Sequence, residues 1–292
     1  MSLVSVKNIT KDFGRRRGVF GLNFEIGYGE IVGFVGPNGA GKSTTINILA
    51  GFVKPDAGNM VIFDLPTDHL NVYKLMPRIG LLFAENTLQE DLTASQTFKR
   101  SQELLRQDLS KNWQDMAKLL ELDLDKPVKK LSLGNKKKVA VINALMHKPD
   151  LLILDEPTSG LDPLITSRLF GLLEGVVKRG GSVFLSSHEL AEVQQICSRI
   201  MMIKNGKIII SDTTQNILEK AYKVFIFKNI PDKLLKSVQT LSKSRRTIRA
   251  GDETKLYTKD ARPILNLFAK NKFYDFYLER PSLEEMFQES YK

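Results

Sequence analysis

The chain has 292 residues, room for one large and one small domain, with 42% hydrophobic and 26% charged residues, an ordinary balance for a soluble globular protein. It contains no run of about 18 apolar residues and does not open on a charged-then-apolar leader, so neither a membrane-spanning helix nor a secretory signal is expected. The net charge of +10 is dispersed in short clusters such as Arg15-Arg16-Arg17 and Lys136-Lys137-Lys138, none interleaved with aromatics, so nucleic acid is not expected as a partner; the single cysteine, Cys197, excludes an intrachain disulfide and fits a reducing compartment.

In chain order, alternating apolar residues predict strands at Leu3–Val6, Val19–Ile26 and Ile31–Val35. A helix is expected over 43–51, ended by Gly51, then a strand from Gly58 to Phe63. From about Asp91 to Lys148 the pattern is helical and polar, with Trp113, Met116, Leu119 and Leu120 spaced as one buried helix face. Leu151–Asp155 and Ser182–His188 read as strands, the first of them an unbroken apolar run, as for a strand buried on both faces. The helical stretch Leu164–Lys178 between them implies a parallel sheet. Ile200–Ile203 and Lys207–Ile210 flank Asn205-Gly206, the dipeptide suited to a type I′ hairpin turn.

A boundary is expected near Lys220, giving domains 1–220 and 221–292. Beyond it the order is strand Val224–Phe227, helix Asp232–Ser242, strands around Thr247–Arg249 and Lys255–Thr258, helix Pro263–Lys270 and strand Phe273–Leu278. That is the β-α-β-β-α-β order of a small α+β, ferredoxin-like domain. Ser282 and Glu285 have the spacing of a capping box for a last helix.

Gly36-Pro37-Asn38-Gly39-Ala40-Gly41-Lys42-Ser43-Thr44 fits G-x-x-x-x-G-K-[ST] between a buried strand and a helix, the loop that cradles nucleotide phosphates. The glycines let backbone N–H groups reach phosphate oxygens. Lys42 brings a point charge to the β- and γ-phosphates, and the Ser43 hydroxyl is a ligand for Mg²⁺. The helix starting near Lys42 turns its positive end to the same anions. At the tip of the strand Leu151–Asp155, Asp155 suits Mg²⁺, usually through water, and Glu156 suits a general base that polarises the attacking water.

Three further segments follow in order: Leu131-Ser132-Leu133-Gly134-Asn135, Ser159-Gly160-Leu161-Asp162 and Ser187-His188. Together with the phosphate loop they resemble the nucleotide-binding subunit of ABC transporters over residues 1 to about 220. The resemblance implies an α/β fold. It has a P-loop NTPase core with an antiparallel β subdomain, a helical subdomain at about 91–148 and the small C-terminal domain. Gly36–Thr44 then resembles Walker A and Leu151–Glu156 Walker B with its catalytic glutamate. Ser132, Gly134 and Asn135 resemble the signature motif, Asp162 the D-loop aspartate and His188 the switch histidine. Phe13 stands where the family places an aromatic that stacks on adenine; an ordinary strand-end core Phe is the other reading. Pro281–Phe287 is similar to the tail of a branch of bacterial exporters with separate permease chains.

Two segments depart from the family pattern. Leu133 and Asn135 replace the first Gly and the Gln of the commonest signature, while Ser132 and Gly134 remain. In Ile79–Glu85 either Ala84 or Glu85 occupies the place of the Q-loop Gln, and Glu85 reads either as an oxygen ligand for Mg²⁺ or as a solvated loop acid.

The resemblance implies an ATPase, with ATP and Mg²⁺ as cofactors, in which two subunits (a second copy or a homologue) sandwich two ATP molecules. Lys42, Ser43, Asp155, Glu156 and His188 of one would face Ser132 and Gly134 of the other. The work would pass to a separate membrane permease, with the chain peripheral on the cytoplasmic face. The alternatives are a soluble ATPase of the same type acting on ribosomes or nucleic acid, against which the single phosphate loop and the lack of heptads argue, and a small-molecule kinase, against which the motif order argues.

Overall fold

The computed structural model describes residues 2–67, 71–84, 88–220, 223–242, 246–273 and 275–279. Two compact units divide the chain, Met1–Asp212 and Thr213–Lys292. The expected boundary near Lys220 is the far end of the helix with which the second unit opens. Glu85, the Ser282/Glu285 capping box and the Pro281–Phe287 tail lie outside the described residues.

In the first unit β1 (Ser2–Asp12) and β2 (Gly18–Gly27) pair antiparallel, and β3 (Ile31–Val35) leaves that sheet for another. The reason lies in side-chain pattern. β2 alternates buried and exposed positions, as a sheet with one wet face requires, whereas all five residues of β3 are buried. α1 (Lys42–Leu49) follows the phosphate loop. β4 (Ala57–Ile62) and β5 (Leu65–Pro66) then complete a four-stranded sheet in the order β2-β1-β4-β5. The short α2 (Val72–Leu75) leads to β6 (Ile79–Leu82).

Three helices form the next block: α3 (Ala94–Leu105), α4 (Ser110–Leu119) and α5 (Leu133–Leu145). α3 opens on a reciprocal cap. Thr93 Oγ1 accepts from Gln96 N at 3.2 Å, and Gln96 Oε1 accepts from Thr93 N at 2.9 Å. Trp113 is buried and its ring lies 5.5 Å from that of Phe98, which ties α4 to α3. The expected apolar stripe holds at Trp113 and Leu120, but Met116 is only half-buried and Leu119 is exposed. The buried face turns instead through Ala117, a residue too small to register in an apolar count.

β7 (Leu151–Asp155), α6 (Pro163–Lys178) and β8 (Ser182–Ser187) form the expected strand–helix–strand unit, with β7 and β8 parallel. α7 (Leu190–Ile196) and the hairpin β9 (Arg199–Lys204) and β10 (Lys207–Thr213) follow. Asn205 and Gly206 have φ of 50° and 73°, the two positive values that a type I′ turn needs. The core sheet runs β10-β9-β3-β8-β7-β6, with β9, β3, β8, β7 and β6 mutually parallel. The two sheets share one apolar core. Phe24 of β2 stacks on Phe184 of β8 at 5.9 Å, and Phe34 of β3 lies 5.2 Å from the same ring.

Cys197 follows α7 and is 4% exposed, and burial pushes its thiol up. It is therefore expected to resist a water-soluble alkylating reagent in the folded chain and to react fully in denaturant, as read by mass spectrometry. Rapid labelling of the native protein would contradict this packing.

The second unit opens with α8 (Thr214–Lys220) and continues through β11 (Lys223–Lys228), α9 (Asp232–Ser242), β12 (Arg246–Ala250), β13 (Glu253–Thr258), α10 (Arg262–Asn271) and β14 (Phe276–Glu279). Its antiparallel sheet has the order β12-β13-β11-β14. Phe225 and Phe227 of β11 point to one face, where they meet Phe268 of α10 edge-on at 5.9 and 5.5 Å. The expected strand Phe273–Leu278 is shorter at its start. Phe273 closes α10 instead, its N–H donating to Phe268 O at 3.0 Å.

Candidate nucleotide-hydrolysis site

The loop between β3 and α1 lies at the C-terminal edge of the parallel strands, where such sheets bind ligands. Gly41 has φ 111°, a value open only to glycine, and it brings the first turn of α1 round to face the cleft. Lys42 is buried at 6% exposure, and its ammonium donates to Gly36 O at 2.8 Å across the loop. Ser43 is exposed and lines the same cleft, of about 480 Å³, with Asn38, Gly39 and Thr44. Gly36 and Ala40 are buried beneath the loop and Pro37 is exposed. These three shape the loop and do not line the cleft.

Across the cleft stands the end of β7. Asp155 is 2% exposed and accepts from Ser186 Oγ at 2.5 Å. The same hydroxyl accepts from the backbone N–H of Glu156 at 3.0 Å. Ser186 is thus a bridge that the sequence did not single out, although a serine inside an apolar strand signals a buried partner. Glu156 has a left-handed φ of 48°, which turns its carboxylate out of the strand line and into the cleft. Its Oε1 lies 3.7 Å from Lys42 Nζ and its Oε2 lies 2.9 Å from His188 Nδ1. Lys42, Glu156 and His188, distant in sequence, form one chain of contacts.

Other expected residues fall differently. Phe13 lines the cleft beside Arg17 and Gly18, with its ring 56% exposed, so the core reading of this residue is not what the fold uses. Ala84 reaches the cleft wall. Ser132, Gly134 and Asn135 do not line it: Ser132 caps α5, its Oγ accepting from Asn135 N at 3.3 Å. Asp162 caps α6, accepting from Ile165 N at 3.0 Å. Both residues thus have a structural occupation within the chain as well as their motif position.

Lys137, on the second turn of α5, is a residue the motif reading passed over. It is 5% exposed, and burial lowers its pKa against the opposing pull of Asp155 and Glu156. Glu192 of α7 is held above the usual carboxylate range by burial, while the Thr158 hydroxyl donates to its Oε2 at 2.6 Å. Nothing in the local sequence around Glu192 distinguishes it from a solvated helix acid.

A buried lysine beside a glycine loop, an acid at a strand tip, and a second acid hydrogen-bonded to a histidine are the parts needed to bind a nucleoside triphosphate and direct water at it. Known proteins agree. The ABC transporter family model matches residues 19–159. An uncharacterised ABC transporter ATP-binding protein of Bacillus subtilis is 36% identical over 211 residues, 71% of this chain and 68% of its own. The bacitracin transport ATP-binding protein of Bacillus licheniformis is 33% identical over 211 residues, 71% and 69% of the two chains. The Nod factor export ATP-binding protein I of Ralstonia nicotianae is 29% identical over 297 residues, 98% and 92% of the two chains. Among solved structures, an ATP-binding subunit of an ABC transporter matches with a TM-score of 0.68 at 26% identity, covering 74% of this chain and 92% of that one. A dimeric ATP-binding cassette in a post-hydrolysis state, bound to ADP and Pi, matches at 0.64 and 27% identity, covering 72% and 98%. A chain with this site and these relatives belongs to the ATP-binding subunits of ABC transporters, the ATPases that power transport.

Proposed function

We propose that this ATPase drives an exporter, working as one of two subunits docked on a separate permease at the cytoplasmic face of the membrane. The observation that carries the catalytic part is the Lys42–Glu156–His188 chain across the phosphate cleft. The naming of bacitracin transport and Nod factor export proteins among the relatives supports the exporter reading.

Each side chain takes a distinct part. Lys42 neutralises the β- and γ-phosphates, and Asn38, Gly39 and Gly41 frame them with backbone N–H groups. Glu156 orients a water and takes its proton. His188, with its Nδ1–H donated to Glu156, leaves Nε2 to meet the γ-phosphate. The Phe13 ring, exposed at the cleft mouth, offers its face to adenine. The Ser43 hydroxyl and the Asp155 carboxylate are hard oxygen donors that would hold Mg²⁺. Held by these two residues, a magnesium ion would supply positive charge to offset that of the phosphates. Ser132, Gly134 and Asn135 serve the second subunit's nucleotide, consistent with their place outside this chain's own cleft.

The permease surface is read from exposed aromatics. Phe52, just after α1, and Tyr73 are each 68% exposed, and Phe52 meets Phe83 edge-on at 5.1 Å. Phe83 is followed by Ala84, on the cleft wall, so a helix seated on these rings would touch the segment that meets the nucleotide. For residues 221–292, the strand order β12-β13-β11-β14 with two helices on one face supports a ferredoxin-like domain.

Among the described residues no helix is long and apolar enough to cross a membrane, so the partner must bring the spans. Tagging the chain in its native host and purifying it from detergent-solubilised membranes is expected to recover a multi-span polypeptide in stoichiometric amount. Recovery only from the soluble fraction, with ribosomes or nucleic acid, would overturn the transporter reading.

A further inference from the structure

Two short loops meet at the catalytic end of the core sheet. One carries Glu156 and, two residues on, Thr158; the other carries His188 and leads into α7, whose first turn bears Glu192. They touch twice. His188 Nδ1 lies 2.9 Å from Glu156 Oε2, and Thr158 Oγ1 donates to Glu192 Oε2 at 2.6 Å. Glu156, Thr158, Glu192 and His188 therefore close a ring of two chain segments and two hydrogen bonds.

The second contact matters because the turn after His188 is otherwise held by a local bond, Glu189 N donating to Ser187 Oγ at 2.9 Å, and by a short helix. α7 has seven residues and buries Val193 alone among them. Its N-terminal turn, which sets the place of His188, borders an open cleft of about 340 Å³ lined by Thr158, Gly160, Glu189 and Glu192. The His188 side chain is 52% exposed, so packing does not fix its rotamer. Thr158 itself is well placed to act as an anchor. Its carbonyl accepts from Leu161 N at 3.0 Å, and Ser159 N donates to Glu156 O at 3.3 Å, so one tight turn joins Glu156 to Thr158.

We propose that Glu192 is a positioning residue for ATP hydrolysis, clasped by Thr158 so that His188 is held against Glu156. The inference rests on the proposed roles of Glu156 and His188. A hydrogen bond to a carboxylate at the open side of a ring restrains a short, weakly packed helix where the catalytic geometry tolerates little drift.

The test is steady-state ATPase kinetics of the full-length chain, with ATP affinity and thermal midpoint measured alongside. Glu192→Ala and Thr158→Val are each expected to lower kcat roughly tenfold with unchanged nucleotide affinity. Glu192→Gln and Thr158→Ser, which keep an acceptor and a hydroxyl, are expected to recover most of the rate. The double variant should be no slower than either single one, and Glu192→Ala should add nothing in a His188→Ala background. A contact that only stabilises the fold would lower the thermal midpoint and leave kcat per folded molecule unchanged, and that result overturns the proposal. So does a multiplicative loss in the double variant. If Glu156→Gln and His188→Ala keep wild-type rates, the catalytic assignment fails; if they fall while Glu192→Ala and Thr158→Val do not, the clasp alone fails.

Discussion

Glu156→Gln is expected to lower ATP hydrolysis by at least about 100-fold while ATP still binds, the loss typical of removing a positioned general base. The substitution keeps the shape of the side chain and the oxygen that faces His188 Nδ1 at 2.9 Å. It removes the negative charge that lies 3.7 Å from Lys42 Nζ, so the phosphate-binding lysine gains, if anything, freedom to meet its ligand. Binding and chemistry should therefore separate. Since a bound nucleotide forms part of the expected subunit interface, the variant should accumulate as an ATP-dependent dimer on size-exclusion chromatography. Hydrolysis at a near wild-type rate would mean that another group takes the proton from water.

Gly134→Ala should lower kcat between tenfold and a hundredfold, for a reason internal to one chain. A Cβ at Gly134 would stand 2.5 Å from Gly160 O, a backbone atom that cannot swing aside as a side-chain end could. Gly160 is held at φ 80°, and Asp162 two residues later is fixed as the cap of α6. Relief must therefore displace the Ser159–Asp162 segment or the start of α5. Overpacking of this kind costs about 1–3 kcal/mol, which on a barrier is a factor of roughly ten to a hundred. ATP binding to the chain's own cleft, which does not include Gly134, should survive, and this is read by equilibrium binding to the monomer beside the ATPase assay. A wild-type rate would show that the two segments part freely during turnover.

The same pair of segments shows where a sequence stops being informative. The phosphate loop was legible because each position answers to a local demand: glycine at φ 111°, lysine within reach of the loop carbonyls, and a hydroxyl at the start of a helix. Strands β3 and β7 were legible because burial on both faces leaves nearly unbroken apolar runs, and β8 was legible from its Val183–Leu185 centre. The turn at Asn205-Gly206 was legible because few residues accept two positive φ values. The helix α4 was read less well, since Ala117 carries its buried face and leaves Leu119 exposed.

Ser186, Lys137, Thr158 and Glu192 were not legible, because their significance lies in partners 30 or more residues away or in burial by other elements. A serine in a strand or a glutamate in a helix carries no mark of what it will face. By itself the sequence determined the phosphate loop, the buried parallel strands, the order of the motifs and hence the family, since all of these depend on residue type and spacing along the chain. Only the tertiary structure decided that β7 and β8 lie side by side, which puts Ser186 against both Asp155 and Glu156, and that the end of β8 and the start of α7 bring His188 and Glu192 onto the loop that carries Glu156 and Thr158. Strand order and helix return are fixed by how apolar faces pack together, and no local pattern of residues records that choice.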